Sequence, residues 1–167
     1  MQYGGCLRLG VMIVGLSPVA ALAEMSLALL PPWDGQTVPV DQVCALHGGN
    51  GMTPPMALSG LPEGTVSLAV EFNDISFASL AFNGGHGAIG FAVTGPEAEL
   101  PPVPALTADL PEGSWVISAA RTSGQYASPG YIPPCSGGNG HTYQAVVRAL
   151  DAEGNELDMA RVVLGRY

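Results

Sequence analysis

Three short stretches hold the residue types best suited to chemistry. "EFNDIS" carries Asp74, "NGGHGAIG" carries His86, and "GGNGHTY" carries His141 and Tyr143. Each lies where a strand-like run meets a loop, the place where binding residues gather in β proteins. A carboxylate that accepts from one ring nitrogen fixes a histidine's tautomer and favours its charged form. Two such imidazoles, with N–H groups from glycine turns and a tyrosine hydroxyl, would make a cradle for a phosphate or carboxylate headgroup. The requirement is geometric: strand ends far apart in sequence must be neighbours at one rim of a sheet.

The elements needed to do this can be read from the runs between turns. "TVSLAVEF" (65–72), "GAIGFAVT" (87–94), "SWVISAA" (114–120), "TYQAVVRAL" (142–150) and "LDMARVVLGRY" (157–167) are rich in β-formers and partly alternate. "EMSLALL" (24–30) reads as an edge strand. "LPEG" precedes two of these runs, at 61–64 and 110–113, with proline suited to the first central turn position. "DAEGNE" (151–156) reads as a hairpin connection, and "PEAELPPVPALTADLPEG" (96–113) as a long proline-rich loop. No stretch carries a sustained 3.6-residue apolar stripe with caps. The expectation is an all-β antiparallel two-sheet sandwich with little helix.

The ends and the composition narrow the class further. The chain has 167 residues, one domain's worth. Arg8, an apolar run over 9–23 and "ALA" before Glu24 read as a secretory signal over 1–23, so residues 24–167 form the single expected domain. The run is short for a membrane span, which needs about 20 apolar residues, and Ser17 and Pro18 break it. Cys6 leaves with the signal. No later segment is apolar enough to span a bilayer. Without Arg8, 4 of the 5 basic residues remain against 14 acidic ones, a net charge of −10, and there is no lysine. Such a balance repels nucleic acid and anionic membranes.

Two cysteines remain, Cys44 and Cys135. In an exported chain an even pair is a disulfide candidate with one possible connectivity; two separate buried thiols are the alternative. Cys135 lies in "PGYIPPCSGGNGHTY" (129–143), where Pro133 and Pro134 restrict the backbone just before the histidine.

Each singled-out residue has a plainer reading. Asp74 could cap a turn, His86 could be a loop residue, and Tyr143 could be a packed strand residue. His47 in "CALHGGNG" reads as loop surface. There is no G-x-S-x-G elbow, and Ser76, beside Asp74, is the only serine worth testing as a nucleophile. A metal site on Asp74, His86 and His141 has no local ligand spacing behind it. Neither a metal nor a cofactor is expected.

Taken in order, the segments resemble the phosphatidylethanolamine-binding protein family, above all its bacterial, Raf-kinase-inhibitor-like branch. That branch runs "G..IP", "C.G.N.SPPL.W.G.P.GT.SLAL", "DPDAP", "HW", "GPCPP", "HRY" and "AL". The chain has "DGQTVPVDQVC", "GGNGMTPPMALSGLPEGTVSLAV", "NDISFA", "GGHGAIGF", "PGYIPPC", "HTY" and "RALD". The resemblance implies a two-sheet β-fold with an anion pocket at one end. Asp74 takes the place of the first Asp of "DPDAP", His86 that of the His of "HW", and His141 and Tyr143 those of "HRY". Pro133 and Pro134 fall near the prolines of the pocket loop, and Cys44 and Cys135 where bacterial members carry cysteines.

The departures touch the pocket. Ser76 replaces the second Asp of "DPDAP", Gly87 the Trp of "HW", and Thr142 the Arg of "HRY". The functional expectation is therefore a periplasmic or secreted bacterial protein, not an enzyme. It would hold a small anionic ligand or phospholipid headgroup through Asp74, His86, His141, Tyr143, Pro133 and Pro134. The alternatives are a module that inhibits a protease or other envelope protein and, further off, a His/Asp hydrolase.

Overall fold

A computed structural model describes Met1 and residues 24–167. The expected signal over 1–23, Cys6 included, lies outside the described residues apart from Met1. Two antiparallel sheets make up the fold. Strands β1 (Ser26–Leu29), β2 (Met56–Ser59) and β5 (Glu97–Leu100) form a three-stranded sheet in the order β1-β2-β5. Strands β3 (Ser67–Asp74), β4 (Ala88–Ala92), β6 (Ser114–Ser118), β7 (Thr142–Leu150) and β8 (Glu156–Arg166) form a five-stranded sheet in the order β6-β4-β3-β7-β8. Among the described residues the helical content is four three-residue 3₁₀ turns. The all-β, two-sheet expectation holds.

Alternation in the central strands builds the core. Side chains two apart share a face, so Leu68, Val70 and Phe72 of β3 point the same way, as do Tyr143, Ala145, Val147 and Ala149 of β7. All are buried. Met56, Leu58 and Leu100 of the small sheet join them, with Trp33, Val43, Val103 and Tyr131 from the loops. Each large apolar side chain contributes about 1.5–3 kcal/mol on burial. Asp74 is the next residue on the buried face of β3 after Phe72. The pattern that builds the core therefore delivers a carboxylate to the end of the sheet.

Two four-residue strands were not anticipated. β2 lies between Pro55 and Gly60, and β5 lies inside the segment expected to be a proline-rich loop. They pair with each other over Met56–Ser59 and Leu100–Glu97, and β1 pairs on the other side of β2. β1 is the expected edge strand. The "LPEG" turns form one position later than expected. Thr65 N–H donates to Pro62 O (3.2 Å) and Ser114 N–H to Pro111 O (3.1 Å), so proline opens each turn and glycine takes the second central position. Gly64 (φ +89°) and Gly113 (φ +84°) supply the left-handed conformation needed there. In the β7–β8 hairpin, Asp151 accepts from the N–H groups of Glu153 and Asn155.

Candidate functional site

The register brings the singled-out residues together. Asp74 at the end of β3 pairs with Tyr143 at the start of β7. On the other side of β3, His86 N–H donates to Phe72 O (2.8 Å) just before β4 begins. Three adjacent strands thus end at one rim. Asp74, His86, His141 and Tyr143 all line one pocket there, of about 450 Å³.

The chemistry of each group follows from its partners. Asp74 is 3% exposed, so its carboxylate needs hydrogen bonds. Its Oδ2 lies 2.6 Å from His141 Nδ1, and its Oδ1 accepts from Ser76 N–H at 3.0 Å. The turn-capping reading and the histidine-pairing reading are both correct, one for each oxygen. The Ser76 hydroxyl accepts from Thr142 N–H (2.9 Å), which ties the two strand ends together. Phe77 stacks on the His141 ring at 6.5 Å between centroids, with 21° between the planes.

His86 is buried and held by one short segment. Its carbonyl accepts from Ile132 N–H (2.9 Å), and its Nδ1 lies 2.9 Å from Ile132 O. A carbonyl oxygen can only accept, so Nδ1 carries the hydrogen and Nε2 is left as the acceptor of the neutral ring. Burial lowers the His86 pKa below 6.5, opposed by the Ile132 carbonyl and the Asp74 carboxylate. His86 is therefore neutral at neutral pH. Its ring meets Tyr143 edge-on at 5.3 Å. The Tyr143 hydroxyl oxygen accepts from Cys135 N–H (3.2 Å), and burial pushes its pKa up, so it remains a phenol.

Loops form the walls. His86 and Gly87 run against Gly130–Ile132, and a Cβ on Gly87 would stand 2.6 Å from Gly130 O; at φ +103° the position suits glycine alone. This close approach leaves room for no side chain beside His86. Pro133 and Pro134 are buried and do not line the pocket; Pro133 lines a second cavity of about 290 Å³. They back the wall. In this segment Ile132, Cys135 and Ser136 line the pocket, in place of the expected Pro133 and Pro134. Cys44 and Cys135 form the disulfide, with Cα atoms 5.3 Å apart, and Cys44 N–H donates to Pro134 O at 3.0 Å.

Over residues 32–164 the sequence matches the family model described as phosphatidylethanolamine-binding protein. The chain belongs to the phosphatidylethanolamine-binding protein family. Among solved structures it is similar to YbcL from E. coli, described as a new member of the mammalian PEBP family. The identity there is 25% with a TM-score of 0.61, over 87% of this chain and 98% of that one. It also shares its fold with CT736 from Chlamydia trachomatis, a putative homologue in the same family, at 19% identity and a TM-score of 0.52, over 86% of this chain and 97% of that one. No curated protein matches the chain.

This family member carries one pocket residue that the sequence analysis missed and that changes the electrostatics. Arg121, just past β6, lines the pocket. Its guanidinium donates to three carbonyls of the β3–β4 loop: Asn83 O (2.9 Å), Ser79 O (3.0 Å) and Phe82 O (2.6 Å). Its own N–H donates to Gly85 O at 3.0 Å. It clamps two walls together. The available signal was that Arg121 is the only arginine or lysine between residues 24 and 147. Phe77 and Ser136 were also missed.

Proposed function

We propose that the chain is an exported binding protein that holds a small anion, a phosphate monoester or a carboxylate, in this pocket without chemical turnover. The carrying observation is that Asp74, His86, His141, Tyr143 and Arg121, from four separate segments, line one pocket. His141 in its imidazolium form would donate one ring N–H to Asp74 and the other to the anion. Arg121 supplies fixed positive charge, and His86 Nε2 supplies an acceptor. That mixture suits a phosphate that keeps a P–OH to donate, and it suits sulfate poorly. One observation supports a binding role over hydrolysis. Ser76, the serine singled out as a nucleophile, has its Oγ engaged by the Thr142 N–H and does not line the pocket. Export fits the disulfide and the expected signal. Among the described residues no helix is long and apolar enough to cross a membrane.

The test is calorimetric titration with inorganic phosphate, phosphoethanolamine and sulfate at pH 6 and pH 8. Phosphate species should bind more tightly than sulfate at both pH values. His141→Ala should lower the affinity at least about tenfold, the scale of a lost charge-assisted hydrogen bond. Equal affinity for phosphate in wild type and His141→Ala would end the reading.

A protein-contact role, inhibition of a protease or another envelope protein, is the second reading. It is favoured by Ile75, Phe77 and Phe82, all exposed on the β3–β4 loop beside the pocket. Pull-down from periplasmic extract with wild type and Phe77→Ser/Phe82→Ser discriminates: a partner lost in the double variant supports this reading, and no partner at micromolar concentration counts against it.

A further inference from the structure

His47, read from sequence as loop surface, stands beside the disulfide. Among the described residues, the donor atoms of Cys44, His47 and Cys135 form the one group of three close enough to share a metal ion, all within 4.8 Å of one another. Two features build this group. Cys44 caps a 3₁₀ turn over Ala45–His47, and His47 N–H donates to Cys44 O at 3.0 Å. At three residues per turn, positions three apart eclipse, so Cys44 and His47 project from the same side. Cys135 comes from the facing loop, held by the bond from Cys44 N–H to Pro134 O. The His47 ring also rests against the next turn of that loop: a Cβ on Gly137 would stand 3.2 Å from its Cε1, and Gly137, at φ +71°, has none.

We infer that the reduced form of this chain holds a thiophilic d¹⁰ cation, zinc(II), on Cys44, His47 and Cys135. Two thiolates and an imidazole are ligands that zinc takes readily, and three protein ligands leave a fourth position for water. The balance is simple. A thiol or phosphine reductant delivers two electrons to the disulfide and two thiols result; two reductant thiols supply the protons and leave as their own disulfide, or water supplies both the protons and the oxygen with which a phosphine leaves as its oxide. Zinc then displaces both thiol protons as it binds. A Cα separation of 5.3 Å lets two sulfurs separate to straddle one ion by rotation about their side-chain bonds. The metal would join the same two loops that the disulfide joins, so the pocket wall at Cys135 would keep its anchor. The inference is independent of what the pocket binds.

The experiment uses the chain with Cys6→Ser, so that two thiols are countable. Oxidised and phosphine-reduced samples are titrated with zinc against a chromophoric chelator, and folding is followed by circular dichroism. The reduced protein should take up one zinc per chain and the oxidised protein none. His47→Ala should weaken uptake by more than about tenfold, the least that loss of even an outer-shell partner costs, with both thiols still titratable, while His47→Cys should retain it. Equal uptake by His47→Ala would mean ordinary dithiol chelation and would overturn the site. So would a reduced, folded chain that takes no zinc. If reduction unfolds the chain, zinc should refold it; failure to refold it also overturns the inference.

Discussion

His141 Nδ1 lies 2.6 Å from Asp74 Oδ2, although 67 positions separate the two residues in the chain. Asp74 closes β3, and His141 stands just before β7, the neighbouring strand. A buried carboxylate and a partly exposed imidazole thus share a hydrogen at the end of the sheet, with Phe77 laid over the ring. Asp74→Asn keeps the shape and the acceptor for Ser76 N–H but removes the charge. The variant should lose about 1.5–3 kcal/mol of stability in urea unfolding, the range for a charge-assisted hydrogen bond. In the proposed binding role it should also lose phosphate affinity at pH 6. Unchanged stability would mean the pair is not formed in solution.

His86 predicts a pH dependence with a definite sign. Burial lowers its pKa in the fold, whereas in the unfolded chain the ordinary value of about 6.5 applies. Between those two values the unfolded state binds the proton and the native state does not, so stability rises with pH there. The contribution is fully present above about pH 6.5 and is lost as the pH falls through the folded value. One group contributes at most about 1.4 kcal/mol per pH unit. His86→Asn keeps a donor for Ile132 O and cannot titrate. Unfolding midpoints from pH 5 to 8 should therefore fall less steeply for the variant. Parallel curves would show that folding leaves the His86 pKa at its unfolded value.

Arg121 should govern how firmly the two pocket walls are joined. Its side chain reaches three carbonyls, at Ser79, Phe82 and Asn83, which a lysine cannot satisfy together because it lacks the planar fork. In Arg121→Lys and Arg121→Ala, amide hydrogen exchange over residues 75–87 should speed up, more so in the alanine variant, while the β7–β8 hairpin stays as protected as before. Exchange unaltered in both variants would remove Arg121 from the wall.

Much of the fold was legible because the central strands speak twice. Leu68, Val70 and Phe72 alternate in β3, and "TYQAVVRAL" gives β7 with the bounds observed, Thr142–Leu150. β2 and β5 were hidden for a physical reason: each is four residues long, beside prolines, and is stabilised by pairing with the other rather than by a pattern of its own. The site shows the same division. Asp74, His86, His141 and Tyr143 could be singled out because their types and their place at strand ends are local facts. Arg121 and Phe77 act through contacts between loops, and the direction of Pro133 and Pro134 depends on how a loop turns; none of these is written in local sequence.

Gly87 should tolerate no side chain. Its φ of +103° disfavours any L residue, and an added Cβ would lie 2.6 Å from Gly130 O and 2.9 Å from Tyr131 Cα, both backbone atoms that cannot swing aside. Gly87→Ala should cost about 2–4 kcal/mol, combining backbone strain with a clash. Gly113→Ala is the control: its φ of +84° is similarly left-handed, but nothing lies within 4 Å of the added carbon. It should cost only about 1–2 kcal/mol. Similar losses in both would mean that conformation alone, and not the approach of the 130–132 segment, makes glycine necessary beside His86.

The disulfide joins residues 91 positions apart and should be a large single contributor to stability. Closing a loop of that length removes freedom from the unfolded chain worth about 4–5 kcal/mol in the entropy model. Cys44→Ala/Cys135→Ala should therefore lower the unfolding free energy measured in urea by that order. It should also raise the denaturant slope, because the unlinked unfolded chain exposes more surface. The effect acts through the unfolded state, so the double variant should still place His141 against Asp74 wherever it remains folded. A loss below about 1 kcal/mol with an unchanged slope would show that the unfolded chain is compact without the cross-link.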